Sequence, residues 1–186
     1  SKIIGSVRDI HEQKMQELRE IESAKRDPIT KLRTQREGRR YLTEVLARGG
    51  SGSMVLLDLD EFRILNETYG LIFGDVILEE IGSLLLAKKE QVEQTEKKEI
   101  ILVRQGGDEI LIWLSEFTRE QTEVFLDEVR RAIAQLYQEA DFSIHVSAGA
   151  CMRNNSNLGY VQLLRRVRRA LTFAKQKKDG RVYFYR

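Results

Sequence analysis

The sequence has little of what builds covalently linked or metal-held folds: among its 186 residues are one cysteine, one proline and two histidines. The lone Cys151 excludes an internal disulfide framework and is compatible with a reducing compartment. Because Cys151 lies in an apolar strand pattern, we expect an inert core thiol. His11 and His145 are too isolated in the chain to indicate a zinc site.

The chain also lacks any apolar run long enough to span a bilayer, and no secretory signal pattern opens it. Its formal net charge of +2 argues against wholesale nucleic-acid binding,. The arginine run at 165–169 is typical of a solvated helix face. We therefore expect a cytoplasmic segment with no nucleic-acid partner and no direct membrane contact. The first residue is Ser rather than Met, so we expect a piece of a longer protein; if that protein has a membrane anchor, the anchor lies outside this segment.

The N-terminal part predicts an appendage to one globular domain. Residues 1–9 open with a strand-like piece, Ile3 to Val7, and the charged stretch 10–26 predicts a helix without Gly or Pro,. Lys14 and Glu17 interrupt its heptad, so two interpretations stay open: a solvated connecting helix, or a parallel coiled-coil arm between two chains. Asp27-Pro28 stops this helix and marks the domain boundary.

The remaining pattern mixes helices and strands irregularly. Helices are predicted over 34–46, 61–67, 118–139 and 158–178, with another capped by Asp75; strands are predicted over 54–60, 100–103, 110–114, 142–151 and 183–185,. Residues 88–99 indicate an exposed loop or a frayed helix end. This order predicts an α/β (α+β) domain with a mixed or antiparallel five-stranded sheet flanked by helices. Doubly wound nucleotide folds fit poorly, because no G-x-G-x-x-G or P-loop follows the first strand.

A tight turn at Gly106-Gly107-Asp108-Glu109 joins two apolar runs and predicts a β-hairpin,. Glycine there permits positive φ and close approach of a phosphate. Asp58, at the end of the strand 54–60, would converge with Asp108 if their strands are neighbours. Two such carboxylates suit a hard divalent cation and phosphoryl transfer, although a solubilising role is as common for acidic residues in such places.

Several ordered motifs resemble the GGDEF domain of bacterial diguanylate cyclases, which make cyclic di-GMP from two GTP molecules. Asp27-Pro28-Ile29-Thr30-Lys31-Leu32 resembles D-P-L-T-G-L, and the segment from Asp58 to Glu67 resembles D-x-D-x-F-K-x-x-N-D. Gly106 to Ile110 is similar to the signature, with Ile in place of Phe. The matching motifs are completed by Gly70, Gly74, Asp75, Ser147 to Ala150, Ala174-Lys175 and Gly180-Arg181.

The resemblance implies a polymerase-palm or nucleotidyl-cyclase-like fold for residues 27–186. It also implies that Asp58, the Leu59 carbonyl and Asp108 hold Mg²⁺ or Mn²⁺, and that Asp108 and Glu109 assist deprotonation of the attacking 3′-hydroxyl. Asn66 and Asp75 would read guanine. The positions implied around the phosphates and the turn are Phe62, Arg63, Gly106, Gly107, Lys175 and Arg181.

The resemblance further implies that two GTP-loaded domains meet, so we expect a homodimer controlled by an upstream sensory domain. Residues 4–12 resemble the end of a PAS domain, and 10–26 would be the signalling helix. At the family's R-x-x-D product site stand Lys97 and Ile100, which predicts no feedback inhibition.

Further departures are Lys31 for Gly, Leu71 for His, Gln105 for Tyr, and Val167-Arg168 for Ala-Asp. Lys177 is an alternative to Lys175 as phosphate ligand. These departures keep open an alternative function, a catalytically weak or inactive module that binds GTP and regulates a partner domain.

Overall fold

A computed structural model describes residues 2–154, 157–177 and 179–186. The elements, in chain order, are α1 (Lys2–Ser23), β1 (Arg33–Thr34), α2 (Gln35–Ala47), β2 (Gly52–Leu59), α3 (Phe62–Tyr69), α4 (Leu71–Thr95), β3 (Ile100–Gly106), β4 (Glu109–Ser115), α5 (Arg119–Leu136), β5 (Val146–Arg153), α6 (Tyr160–Lys177) and β6 (Val182–Phe184). The predicted helix end at Lys178 lies outside the described residues.

Strand β2 occupies the middle of the sheet, whose order is β1-β3-β4-β2-β5-β6. It pairs antiparallel with β4 on one side and with β5 on the other. The two outer pairs, β1 with β3 and β5 with β6, are parallel. The predicted mixed sheet is therefore confirmed, with six strands instead of five. The added strand is the two-residue β1, too short to leave an alternating pattern in the sequence.

The alternation along β2 divides the hydrophobic core between the two faces of the sheet. Val55, Leu57 and Leu59 belong to one cluster, with the buried sides of α4 and α5. Met54 and Leu56 belong to the other, with α2 and α6. All residues of β2 are buried, which is typical of a central strand covered on both faces. By the same alternation Asp58 lies on the α6 face.

The helix α1 includes the segment predicted as a strand at residues 3–7, and that prediction is wrong. A short apolar run does not by its pattern distinguish strand from helix, and the flanking residues continue the helical hydrogen bonding. Its apolar side chains at Val7, Ile10, Leu18 and Ile21 are 52–62% exposed. Both interpretations of this helix thus remain open. No helix among the described residues is long and apolar enough to cross a membrane.

Helix α4 differs from the prediction at both ends. It begins at Leu71 after Gly70, so Asp75 lies inside the helix and is not its cap. It continues to Thr95, through most of the residues that were expected to form an exposed loop or a frayed helix end. Lys89 and Glu93 form an ion pair one turn apart, and Lys88 donates to Glu128 of α5 at 2.8 Å. These contacts stabilise a stretch that lacks apolar periodicity.

Strand β5 begins at Val146 instead of Phe142. The Phe142 ring packs against Tyr69, Phe73 and Tyr137 at centroid distances of 5.4–5.5 Å. An aromatic residue that suits a strand is therefore used in a side cluster. The hairpin β3–β4 and the edge strand β6 agree with the predictions.

The close packing of α6 on β5 leaves no room for a side chain at Gly149. A Cβ at this position would lie 2.2 Å from Leu171 N and 2.5 Å from Val167 O. Because backbone atoms cannot yield like a flexible side chain, we expect Gly149→Ala to lower the free energy of unfolding by roughly 2–4 kcal/mol. Urea unfolding measures it. The matched Gly159→Ala, whose Cβ would meet nothing nearer than 3.6 Å, should change stability by less than about 0.5 kcal/mol. Equal effects of the two substitutions would refute this view of the packing.

Candidate active site

Asp58 stands one residue before the end of β2, with a side chain only 8% exposed. Its register partners are Glu109 in β4 and Ser147 in β5. Ser147 Oγ donates to Asp60 Oδ1 at 2.7 Å. Asp58 and Asp60 therefore both neighbour Ser147. The end of the central strand is thus crowded with acidic groups.

The surroundings of Asp58 raise its pKa from 3.8 to about 6. Burial is the largest cause, and the negative charges of Asp108 and Glu109 add to it,. Lys175 opposes them, with Nζ 2.5 Å from Asp58 Oδ1. Asp58 and Glu109 are register partners and Asp108 precedes Glu109 in the turn, so the structure brings these three carboxylates to one place. The sequence predicted the convergence of Asp58 with Asp108.

The turn that carries Asp108 is a tight link between β3 and β4. Gly106 has φ +150° and Gly107 has φ +51°, backbone conformations that glycine adopts without strain,. The ladder shifts register between Arg104 and Gly106, and such a bulge turns the end of the hairpin. The glycines therefore set the direction of the acidic residues that follow.

Arg104 anchors this turn to the start of the domain. Its Nε and Nη2 donate to the Gly107 carbonyl at 3.1 and 2.9 Å, and its Nη1 donates to Asp27 Oδ1 at 2.9 Å. Burial acts to raise the pKa of Asp27, but hydrogen bonds from Thr30 and Arg104 outweigh it and lower the pKa. Asp27, four residues after the end of α1, is therefore joined to the Gly106–Glu109 turn through Arg104.

Of the basic residues predicted at the phosphate end, Lys175 meets the acidic cluster. Lys177 instead places its Nζ 5.3 Å from the centroid of the Phe173 ring. Arg181 is exposed and has no recorded contact with Asp58, Asp108 or Glu109 in the described part of the chain. A groove of about 910 Å³ opens beside Lys175 and is lined by Asp60 and Ser147.

The two predicted guanine-reading residues, Asn66 and Asp75, lie on the packed helices α3 and α4. A Cβ added to Gly74 would lie 1.8 Å from Asn66 Oδ1 and 3.1 Å from the Phe62 ring. Asn66 thus abuts the backbone beside Asp75, which is exposed. Within the described residues Asn66 Oδ1 is buried without a hydrogen-bond partner. Phe62 packs partly against the core, so its side chain has a structural role here.

The start of α3 leaves backbone donors available. Glu61 precedes it with φ +57°, and no side chain caps the helix. The first N–H groups of a helix have no partner within the helix and suit phosphate oxygens. Arg63, in the first turn, is 86% exposed and lies 3.5 Å from Glu67. The resemblance implied a phosphate-binding role for Phe62 and Arg63 at the start of α3. It did not identify Glu61, whose positive φ is found only in the structure.

A contact that sequence reasoning missed joins Arg168 of α6 to Glu109. Nη1 donates to Oε1 at 3.2 Å and Nη2 donates to Oε2 at 3.1 Å. The arginine run was interpreted as a solvated face. Helical spacing carried a usable signal, because Arg168 and Lys175 are seven residues apart and therefore share one side of α6.

The protein groups near Asp58 can supply only some of the oxygen ligands that a divalent cation needs. Among the described residues, no three His, Cys, Asp or Glu side chains form a ready metal site. Asp58, Asp108 and the Leu59 carbonyl offer oxygen ligands on one edge. Mg²⁺ commonly takes one or two carboxylates and completes its shell with water and substrate phosphates. Two carboxylates at this edge therefore fit the part of such a shell that a protein supplies.

Comparison with known proteins decides the family. The family model described as "Diguanylate cyclase, GGDEF domain" matches residues 24–181. This chain belongs to the GGDEF family. Diguanylate cyclase DosC of Escherichia coli K12 is 27% identical over 172 residues, covering 86% of this chain and 35% of the relative. Diguanylate cyclase A of Treponema denticola is 23% identical over 133 residues, covering 70% of this chain and 34% of the relative. The chain thus spans about a third of the length of these two relatives.

Solved GGDEF structures share the fold. The coiled coil and GGDEF domain of DgcB from Caulobacter crescentus, in complex with c-di-GMP, has a TM-score of 0.82 at 19% identity; the match covers 98% of this chain and 97% of that one. Diguanylate cyclase SiaD from Pseudomonas aeruginosa, in complex with its activator SiaC, has a TM-score of 0.75 at 24% identity, with 98% and 71% covered. The likeness to DgcB extends over the helix α1 as well.

The raised pKa of Asp58 gives a prediction for stability. Because the folded-state pKa of about 6 exceeds 3.8, the folded chain binds this proton more tightly. The free energy of unfolding therefore falls as pH rises between those values. Without divalent cations at neutral pH, we expect Asp58→Asn to raise stability by roughly 1–3 kcal/mol, and this gain should vanish below the lower value.

Urea unfolding across pH in a chelator measures this effect. Asp141→Asn, on the exposed segment before β5, is the control and should change little. Added Mg²⁺ should stabilise the wild-type chain and leave Asp58→Asn unchanged. A variant that is no more stable than wild type at neutral pH would contradict the burial of an unfavourable charge.

Proposed function

We propose that this chain is the cyclase domain of a diguanylate cyclase, which condenses two GTP molecules into cyclic di-GMP. The observation that supports this most directly is the meeting of Asp58 with the turn from Gly106 to Glu109 on adjacent strands. Membership of the GGDEF family supports the substrate and the reaction.

In the proposed reaction, the 3′-oxygen of each GTP attacks the α-phosphorus of the other. Each attack forms one phosphodiester bond, breaks the bond between the α-phosphorus and the bridging oxygen, and releases pyrophosphate. Asp108 and Glu109 take up the 3′-hydroxyl proton. Asp58, Asp108 and the Leu59 carbonyl would hold Mg²⁺ or Mn²⁺, which supplies charge neutralisation for the phosphates when bound.

The nucleotide is held at two ends in this proposal. Asn66 and Asp75 pair with the guanine edge, and the enclosed Asn66 Oδ1 supports this, because a guanine N–H would satisfy it,. The open N-terminus of α3, with Arg63, and the ammonium of Lys175 bind phosphate oxygens. Gly106 and Gly107 let the phosphates approach the turn. Arg181 is proposed only as a phosphate ligand reached after rearrangement.

The reaction needs two domains face to face, so we propose a homodimer. The exposed apolar side chains of α1 support a pairing of helices between two chains, because they are not covered within the described chain,. An upstream sensory domain, a PAS domain by the resemblance of residues 4–12, and a cytoplasmic location are part of the same proposal.

Feedback control by product is not expected at the family's usual place. Lys97 is exposed, and Ile100 is 1% exposed within β3. A buried aliphatic side chain cannot accept a hydrogen bond from a guanine edge. The activity assay should therefore show no loss of rate when cyclic di-GMP is added.

The decisive experiment is incubation of the chain, fused to a dimeric coiled coil, with GTP and Mg²⁺. We expect cyclic di-GMP and pyrophosphate by chromatography and mass spectrometry. Asp108→Ala should lower the rate by roughly a hundredfold or more, because it removes a metal ligand and a proton acceptor. The control Asp141→Ala should keep the rate. A folded dimer that binds GTP but makes no product would contradict the proposal. It would favour the alternative, an inactive module that binds GTP and regulates a partner domain.

A further inference from the structure

The carboxylate of Glu109, which lies beside Asp58 and Asp108, is paired with a basic side chain. The Arg168 guanidinium engages both of its oxygens, at 3.2 and 3.1 Å. Such a forked pair fixes the orientation of the carboxylate as well as offsetting its charge. The Glu109 side chain is 24% exposed and that of Arg168 is 47% exposed, so the pair lies at the mouth of the site.

Helix α6 supplies one cation to each of two acidic residues on neighbouring strands. Lys175 contacts Asp58 at 2.5 Å, and Asp58 and Glu109 are register partners. A Lys ammonium makes a compact contact on a flexible stem, whereas the Arg fork is held by two hydrogen bonds. The two acidic residues are therefore neutralised by different means, and Glu109 is the more firmly oriented.

A divalent cation next to Asp58 would meet the fixed positive charge of Arg168 close by. Coulomb repulsion at this range remains substantial near a protein surface. To use Glu109 as a ligand, the cation would also have to displace the guanidinium. A bound triphosphate changes both the repulsion and the competition for Glu109, because its oxygens attract the cation and give Arg168 another oxyanion that accepts two hydrogen bonds.

We propose that Arg168 is a positioning residue that withholds Glu109 from a divalent cation until a nucleotide is bound. Binding of the cation and of the nucleotide are thereby coupled, each strengthening the other. The inference rests on the proposed function for the identity of the nucleotide. It concerns the order in which the site is filled, which the proposed reaction leaves open.

The test measures Mn²⁺ binding to the nucleotide-free chain, from the paramagnetic resonance signal of unbound Mn²⁺. We expect Arg168→Gln to bind Mn²⁺ about tenfold more tightly than wild type. The matched control is Arg169→Gln, which removes the same charge from the next residue; Arg169 is exposed and enters no recorded ion pair in the described ranges. Its affinity should stay within about twofold of wild type. No tightening in Arg168→Gln, including no Mn²⁺ binding by any variant, or equal tightening in both, would overturn the inference.

Two further arms separate positioning from general charge. In a Glu109→Gln background, Arg168→Gln should tighten Mn²⁺ binding by less than about twofold, since only the solvent-screened repulsion between Arg168 and the cation then remains. With a non-reactive GTP analogue bound, wild type and Arg168→Gln should agree within about twofold. A gain of about tenfold that persists in either arm contradicts the inference. Because no turnover is measured, failure here is distinct from failure to make cyclic di-GMP, and circular dichroism verifies that each variant is folded.

Discussion

A carboxylate buried at the end of the central strand is the constraint on which the site depends. Asp58 is 6% exposed and faces two other acidic residues, so its charge is costly and its pKa rises to about 6. Two basic residues on one side of α6, Lys175 and Arg168, offset the charges of Asp58 and Glu109. A divalent cation bound beside Asp58 would offset this repulsion, so the carboxylates that destabilise the fold would attract the cation. The site therefore trades stability for function.

A second network connects this site to the helix that precedes it. Asp27 receives hydrogen bonds from Thr30 and Arg104, and Arg104 holds the Gly107 carbonyl. Both side chains of the ion pair are at most 17% exposed, so solvent screens the pair weakly. The segment that follows α1 is therefore joined to the turn that carries Asp108 by one weakly exposed ion pair.

Sequence patterns predicted those parts of the fold that depend on local chemistry. The hairpin followed from two glycines between apolar runs, and the central strand β2 followed from an unbroken apolar run. The contacts Asp27–Arg104 and Glu109–Arg168 could not be predicted, because they join residues 77 and 59 positions apart. Their existence depends on where helices cross the sheet. The supposed cap at Asp75 was wrong because α4 begins one turn earlier, and the strand at residues 3–7 was wrong because short apolar runs suit either structure.

The central claim is that the end of β2 binds a divalent cation together with a guanine nucleotide. Crystals grown with Mn²⁺ and a non-reactive GTP analogue test it through the anomalous signal of manganese. The account predicts a peak roughly 2.0–2.3 Å from carboxylate oxygens of both Asp58 and Asp108, with guanine beside Asn66 and Asp75. A peak held by phosphates alone, with Lys175 still on Asp58 or the base bound elsewhere, would contradict it.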